Sequence, residues 1–226
     1  MLTLALDTAT PAVTAAVVRV DGTAVRLVSS VVRCDPRRHG ELLGPAIRAA
    51  LDGAGVAFGE LAAVVAGLGP GPFTGLRVGL VTAVALADAL GVPAYGVCSL
   101  DAIGAVAQGG SGRLLVATDA RRREVYWAVY DSGGFRVHGP AVDRPAEVAT
   151  RIADLAVSGV AGAAADSVAV LCGLPVHGPA YPQPAALVAV AADRLRAGAP
   201  SEPMIPLYLR RPDAERPGPT KPALAR

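Results

Sequence analysis

The stretch GLGPGPFTGLRVGL, residues 67–80, decides how this chain is read. Three of its first five residues are glycine, prolines stand between them, and an apolar helical pattern begins behind Thr74. Gly-rich loops that feed a helix often hold phosphate. Pro70 and Pro72, however, carry no N–H, and a phosphate nest needs consecutive backbone donors. Lys221 is the only lysine, so no Walker-type lysine stands beside the loop. The stretch therefore predicts a rigid strand-to-helix turn with Thr74 as the helix N-cap. Gly69, Gly71 and Thr74 are the residues that would touch a phosphate if one lodged there.

Upstream of the loop, an apolar run at 2–6 ends at Asp7, and runs at 13–20 and 24–32 flank the hairpin signal Asp21-Gly22. Residues 40–54 have helical spacing through Leu43, Ile47, Ala50 and Leu51, and 62–66 is a short buried strand. Downstream come a helix at 75–90 stopped by Gly91 and Pro93, a strand at 94–97, a helix at 100–107 and a linker at 108–112. The order then returns. A strand at 113–118 ends at Asp119 as the first ended at Asp7. Strands at 125–130 and 135–138, a helix at 145–156, a strand at 156–161 and a last helix at 185–196 follow. Two βββαβα copies resemble the actin-like, ribonuclease-H-type ATPase plan. The expectation is an α/β protein of two lobes, 1–107 and 108–226, the second ending in a Pro-bounded segment and a mobile tail.

The chain has 226 residues, with 21 basic and 19 acidic side chains and a net charge of +2. That balance leaves no whole-chain electrostatic footprint for nucleic acid. Cys34, Cys98 and Cys172 are scattered, which reads as reduced, buried thiols and not as a disulfide frame or zinc site. The N-terminus has no basic leader, and the longest uncharged stretch, 167–192, is broken by Pro175, Pro179, Pro182 and Pro184. A soluble, cytoplasmic protein without a membrane span is expected.

Asp7, Thr8 and Thr10 at a strand end offer a carboxylate and two hydroxyls to a metal–phosphate group, or form a turn that satisfies its own backbone. No catalytic residue and no metal site is expected. There is no G-x-S-x-G elbow, Cys34 and Cys98 lack a neighbouring histidine, and His39 beside Glu41 is a single imidazole at a helix start. The helix behind the loop is apolar nearly all round. Leu76, Leu80, Ala83 and Ala87 make one face, and Val78, Val81, Val84 and Ala85 make another. A two-layer lobe buries only one such face. The helix at 40–54 repeats the pattern with Leu42, Ala46, Ala49 and Gly53. Together these faces predict a subunit interface. Arg121, Arg122 and Arg123 form a compact basic turn, either a solvated hairpin tip or a contact for tRNA or a partner.

LALDTAT (4–10), RRHGELLGPAI (37–47), the opening stretch, DARRREVYWAVY (119–130) and PLYLRRPDA (206–214) together resemble the bacterial TsaB (YeaZ) family over nearly the whole chain. The resemblance implies a scaffold for N6-threonylcarbamoyladenosine formation in tRNAs that read codons beginning with A. It implies no cofactor, and pairing with a catalytic TsaD-like paralogue through the two apolar helices. A TsaE-like ATPase would join that pair, tRNA would come through the complex, and a homodimer is a further state. The paralogue's two metal histidines lie on its first helix, where this chain has only His39. Pro72 departs from the family's usual Ser and removes a hydroxyl and an N–H from the loop. The open alternative is an actin-fold small-molecule kinase or a glycoprotease-like hydrolase, which would need a complete metal and nucleotide site.

Overall fold

The computed structural model describes residues 1–106 and 112–210. The linker read at 108–112 and the tail beyond 210 therefore lie largely outside the described residues. The first lobe is built on β1 (Leu2–Asp7), β2 (Ala12–Asp21), β3 (Ala24–Cys34), β4 (Leu61–Gly67) and β5 (Ala94–Val97). They form one sheet in the order β3-β2-β1-β4-β5. β1 is antiparallel to β2 and parallel to β4. It reads as an unbroken apolar run because it is central and covered on both faces. The Asp21-Gly22 signal holds: Asp21 pairs with Ala24, and Gly22 takes the left-handed φ of 53° that the tight turn requires.

Two long helices, α1 (His39–Ala54) and α2 (Phe73–Leu90), cover one face of this sheet. Each ends on a left-handed glycine, Gly55 or Gly91. α2 is long and apolar enough to cross a membrane by length and composition. In this fold it is the crossover between the parallel strands β4 and β5, with Leu76, Leu80, Ala83 and Ala87 buried in the lobe core.

The second lobe repeats the plan with β6 (Arg113–Asp119), β7 (Val125–Tyr130), β8 (Arg136–Asp143), α4 (Pro145–Arg151), β9 (Val157–Ala161) and α5 (Ala165–Cys172). Its sheet order is β8-β7-β6-β9, with β6 antiparallel to β7 and parallel to β9. The two βββαβα copies are those of the actin-like plan. α3 (Ser99–Gly104) leaves the first lobe and packs on the inner face of the second sheet through Leu100 and Ile103.

The last helix is the main difference from expectation. It is two short helices, α6 (Pro184–Val190) and α7 (Ala192–Arg196), which meet at Ala191. They do not complete the second lobe. Ala186, Leu187, Val188 and Leu195 pack on the free face of the first sheet, against Ala16, Val18, Val65 and Tyr95. α5 supplies the second copy's final helix. The chain then returns over the first lobe, where Glu202 N donates to Ala94 O and Leu207 N to Leu68 O, at 3.0 and 2.8 Å. Cys34 is exposed at the end of β3 rather than buried.

Candidate functional site

The strand end at Asp7 is a closed knot. Asp7 is 1% exposed. Its Oδ2 accepts from Ser99 Oγ at 2.6 Å and its Oδ1 from Ala9 N at 3.0 Å. Burial pushes the carboxyl up to about 6, while Ser99, Ala9 N and the nearby His39 hold it back. Thr8 Oγ1 donates to Gly75 O at 2.8 Å and accepts from Gly79 N at 3.1 Å. Thr10 Oγ1 accepts from Ala12 N at 3.3 Å. His39 Nε2 lies 2.9 Å from Thr10 O; a carbonyl only accepts, so this nitrogen carries the proton and ties α1 to the β1–β2 turn. Every polar group read as a phosphate contact at this end therefore holds protein.

The glycines of the opening stretch have the same cause. A Cβ on Gly71 would overlap the Ala9 carbonyl, and one on Gly79 would overlap Thr8 Oγ1. The loop is glycine-rich because it lies directly against the 7–10 turn. Gly69 and Gly71 are buried there. Thr74 is not the N-cap. α2 begins at Phe73 with Pro72 in the cap position and no side-chain cap bond, so Thr74 sits exposed in the first turn. Extended backbone at Pro72 (φ −61°, ψ 133°) starts the helix two residues earlier than a threonine cap would allow.

The spare helix faces are only partly as read. Val81 is 67% and Val84 48% exposed, and Ala85 and Ala49 are also exposed. Leu42 and Val78 are half-buried and pack against the lobe core. Ala46 is buried, and belongs to that core instead of the outer face. α1 packs on β2 and β3 and also beside α2, so more of its circumference is buried than a sheet face alone would cover. Among the described residues, no group of three or more His, Cys, Asp or Glu side chains is placed to hold a metal ion.

Arg121, Arg122 and Arg123 are exposed in the β6–β7 turn, and all three have left-handed backbone, with φ of 58°, 53° and 62°. Arg121 N donates to Asp119 Oδ1 at 2.9 Å. This turn faces the starts of α1 and α2 across an interlobe cleft of about 560 Å³ that also takes in Arg37, Phe73, Tyr126 and Arg210. Those four residues come from four separate segments, and no local motif joins them. A strap closes one side. Arg77 Nε donates to Tyr208 Oη at 2.8 Å, the Phe73 and Tyr208 rings lie 4.6 Å apart, and Arg210 pairs with Glu124 in the second lobe.

The chain matches a family model described as TsaD: tRNA N6-adenosine threonylcarbamoyltransferase over residues 33–217. It is 50% identical over 214 residues to an uncharacterized protein of Mycobacterium tuberculosis, covering 94% of this chain and 93% of that protein. It is 39% identical over 132 residues to the tRNA threonylcarbamoyladenosine biosynthesis protein TsaB of Escherichia coli, covering 58% of this chain and 55% of that one. The solved structure of YeaZ from Pseudomonas aeruginosa superposes with a TM-score of 0.71 at 30% identity, covering 92% of this chain and all (100%) of the other. With these likenesses and its paired actin-like lobes, the chain belongs to the TsaB/YeaZ family.

Proposed function

We propose that the chain is a non-catalytic partner subunit for N6-threonylcarbamoyladenosine formation in tRNAs that read codons beginning with A. It pairs with a catalytic, TsaD-like paralogue through the outer face of α2 and the exposed part of α1. The observation that carries this is the strip Val81, Val84 and Ala85, an apolar face on a helix whose opposite side is already in the core. The relatives named for threonylcarbamoyladenosine biosynthesis support the pathway. The self-satisfied strand end at Asp7 supports a structural role for residues that such a fold can use in chemistry. A TsaE-like ATPase joins the pair, tRNA is held through the complex, and a homodimer on the same face is the resting alternative.

The test is reconstitution. The paralogue, ATP, threonine, bicarbonate and the ancillary enzymes are mixed with substrate tRNA, with and without this chain. Modification that requires the chain, and that is lost with Val81→Arg, supports the proposal. Modification that proceeds equally without the chain overturns it.

A further inference from the structure

The outer strands of the two sheets are β3 and β5 in the first and β8 and β9 in the second. Three of these edges are closed or broken. β5 is covered by the returning segment, with Glu202 N donating to Ala94 O and Ala94 N to Ser201 Oγ. β9 is bridged by Val176, and His177 N donates to Val160 O. β8 contains Pro140 and shifts register twice against β7. β3 is 11 residues long and pairs with β2 on one side, and among the described residues no other backbone bonds to it.

The pairing fixes what this edge offers. Asp35 N donates to Pro11 O at 2.9 Å, so Asp35 turns its backbone toward β2. Antiparallel alternation turns Arg33 and Val31 the same way and points the N–H and C=O groups of Ser30, Val32 and Cys34 outward. All three residues are exposed. The Val32 carbonyl accepts from Arg33 Nη1 at 3.3 Å, a long contact that a strand N–H would replace. The register also sorts the side chains. Arg26 stands opposite Arg19, and Arg33 opposite Val13, on the face covered by α1, where Val13 and Val17 pack. Leu27 stands opposite Val18, and Val32 opposite Thr14, on the face covered by α6. Val28 is left over between Leu27 and Ser29 as a bulge. Arg19, Arg26 and Arg33 are exposed, and among the described residues none has a carboxylate within ion-pair distance. Arginines directly opposite each other repel, so one rim of the edge favours acidic side chains from outside. On the other rim Leu27 is 48% and Val32 43% exposed.

We propose that the free edge of β3 at residues 30–34 takes an extended, acidic segment of another protein as an added antiparallel strand. Main-chain hydrogen bonds to Ser30, Val32 and Cys34 hold it. Its acidic side chains lie beside Arg26 and Arg33, and the apolar side chains that alternate with them lie on Leu27 and Val32. A second copy of this chain fits less well, because it brings the same arginines to the rim. The edge shares no residue with the outer face of α2 and does not depend on the partner role proposed above.

The test is fluorescence anisotropy of a labelled peptide of about eight residues that alternates glutamate with valine, titrated with the full chain at low ionic strength. Directly opposite residues of an antiparallel pair share a face, so the valines, facing Ser30, Val32 and Cys34, present their N–H groups to the edge. The parent should bind with a dissociation constant below about 1 mM. N-methylation of the valines should weaken binding at least about tenfold, and N-methylation of the glutamates should not. Val32→Pro removes an outward donor at an edge position that tolerates proline and should weaken binding by a similar factor. Should that variant fail to fold, Arg26→Glu/Arg33→Glu carries the test, because it changes two exposed side chains. It should lose the glutamate–valine peptide and bind a lysine–valine peptide instead. No binding by the parent, equal binding of the valine-methylated peptide, or equal binding by the charge-reversed variant would overturn the proposal. A parent that binds no peptide but forms a dimer sensitive to Val32→Pro would overturn it in favour of a second copy.

Discussion

Replacing Asp7 with asparagine tests whether the strand end is a structural knot held under electrostatic strain. Burial, the dominant cause, pushes the Asp7 carboxyl up to about 6 from an ordinary value of 3.8. The folded state therefore keeps this proton where the unfolded chain has released it. Stability from this group is fullest at low pH, falls as pH rises from 3.8 through 6, and then levels off. At about 1.36 kcal/mol per unit, the shift of roughly two units makes the ionised, buried carboxylate cost about 3 kcal/mol at neutral pH. Asparagine keeps the oxygen that accepts from Ala9 N and carries no charge. The amide in place of Oδ2 leaves Ser99 to rotate toward a new partner, a cost that does not vary with pH. The quantity to measure is the difference in urea unfolding free energy between Asp7→Asn and the parent, followed by far-UV circular dichroism and by Trp127, the single tryptophan. That difference should move in favour of the variant by about 2 kcal/mol between about pH 4.5 and 7.5. A difference that stays flat with pH, or moves toward the parent, would refute the assignment of a strained carboxylate.

Three further outcomes are expected. Gly71→Ala puts a Cβ into the Ala9 carbonyl and should lower stability by about 1–3 kcal/mol; an unchanged urea midpoint would mean that the loop does not seat on the 7–10 turn. Tyr208→Ala removes the bond to Arg77 and the ring contact with Phe73, so limited proteolysis of the returning segment should quicken about fivefold, as loss of roughly 1 kcal/mol implies. Val81→Arg lies on an exposed face and should leave the isolated chain's stability within about 0.5 kcal/mol of the parent, measured by thermal melting.

The sequence carried a good part of this structure. Strand-Asp endings at Asp7 and Asp119, the Asp21-Gly22 hairpin and the glycine stop at Gly91 are local signals, and the local backbone obeys them. The prolines of the opening stretch also spoke correctly for a turn. What failed was non-local. α5, Ala165–Cys172, is a short helix whose last six residues lie in the uncharged, proline-broken stretch at 167–192, too few to show a helical period. The face on which α6 packs is chosen by the open side of the first sheet, which no periodicity in 184–196 can express. Thr74 had the chemistry of a cap but lay two residues too late for it. The partner of Asp7 is Ser99, 92 residues away. The cleft is assembled from Arg37, Phe73, Arg121 and Arg210, which lie on four separate segments and meet only in the folded chain.

The central claim is that the outer face of α2 is a partner surface. Sedimentation velocity of the chain mixed with its TsaD-like paralogue, parent against a Val81→Arg/Ala85→Arg double variant, tests it most directly. The parent should sediment as a stoichiometric heterodimer, and the double variant, folded by circular dichroism, should sediment as separate monomers. A heterodimer of equal affinity with the double variant would contradict the claim.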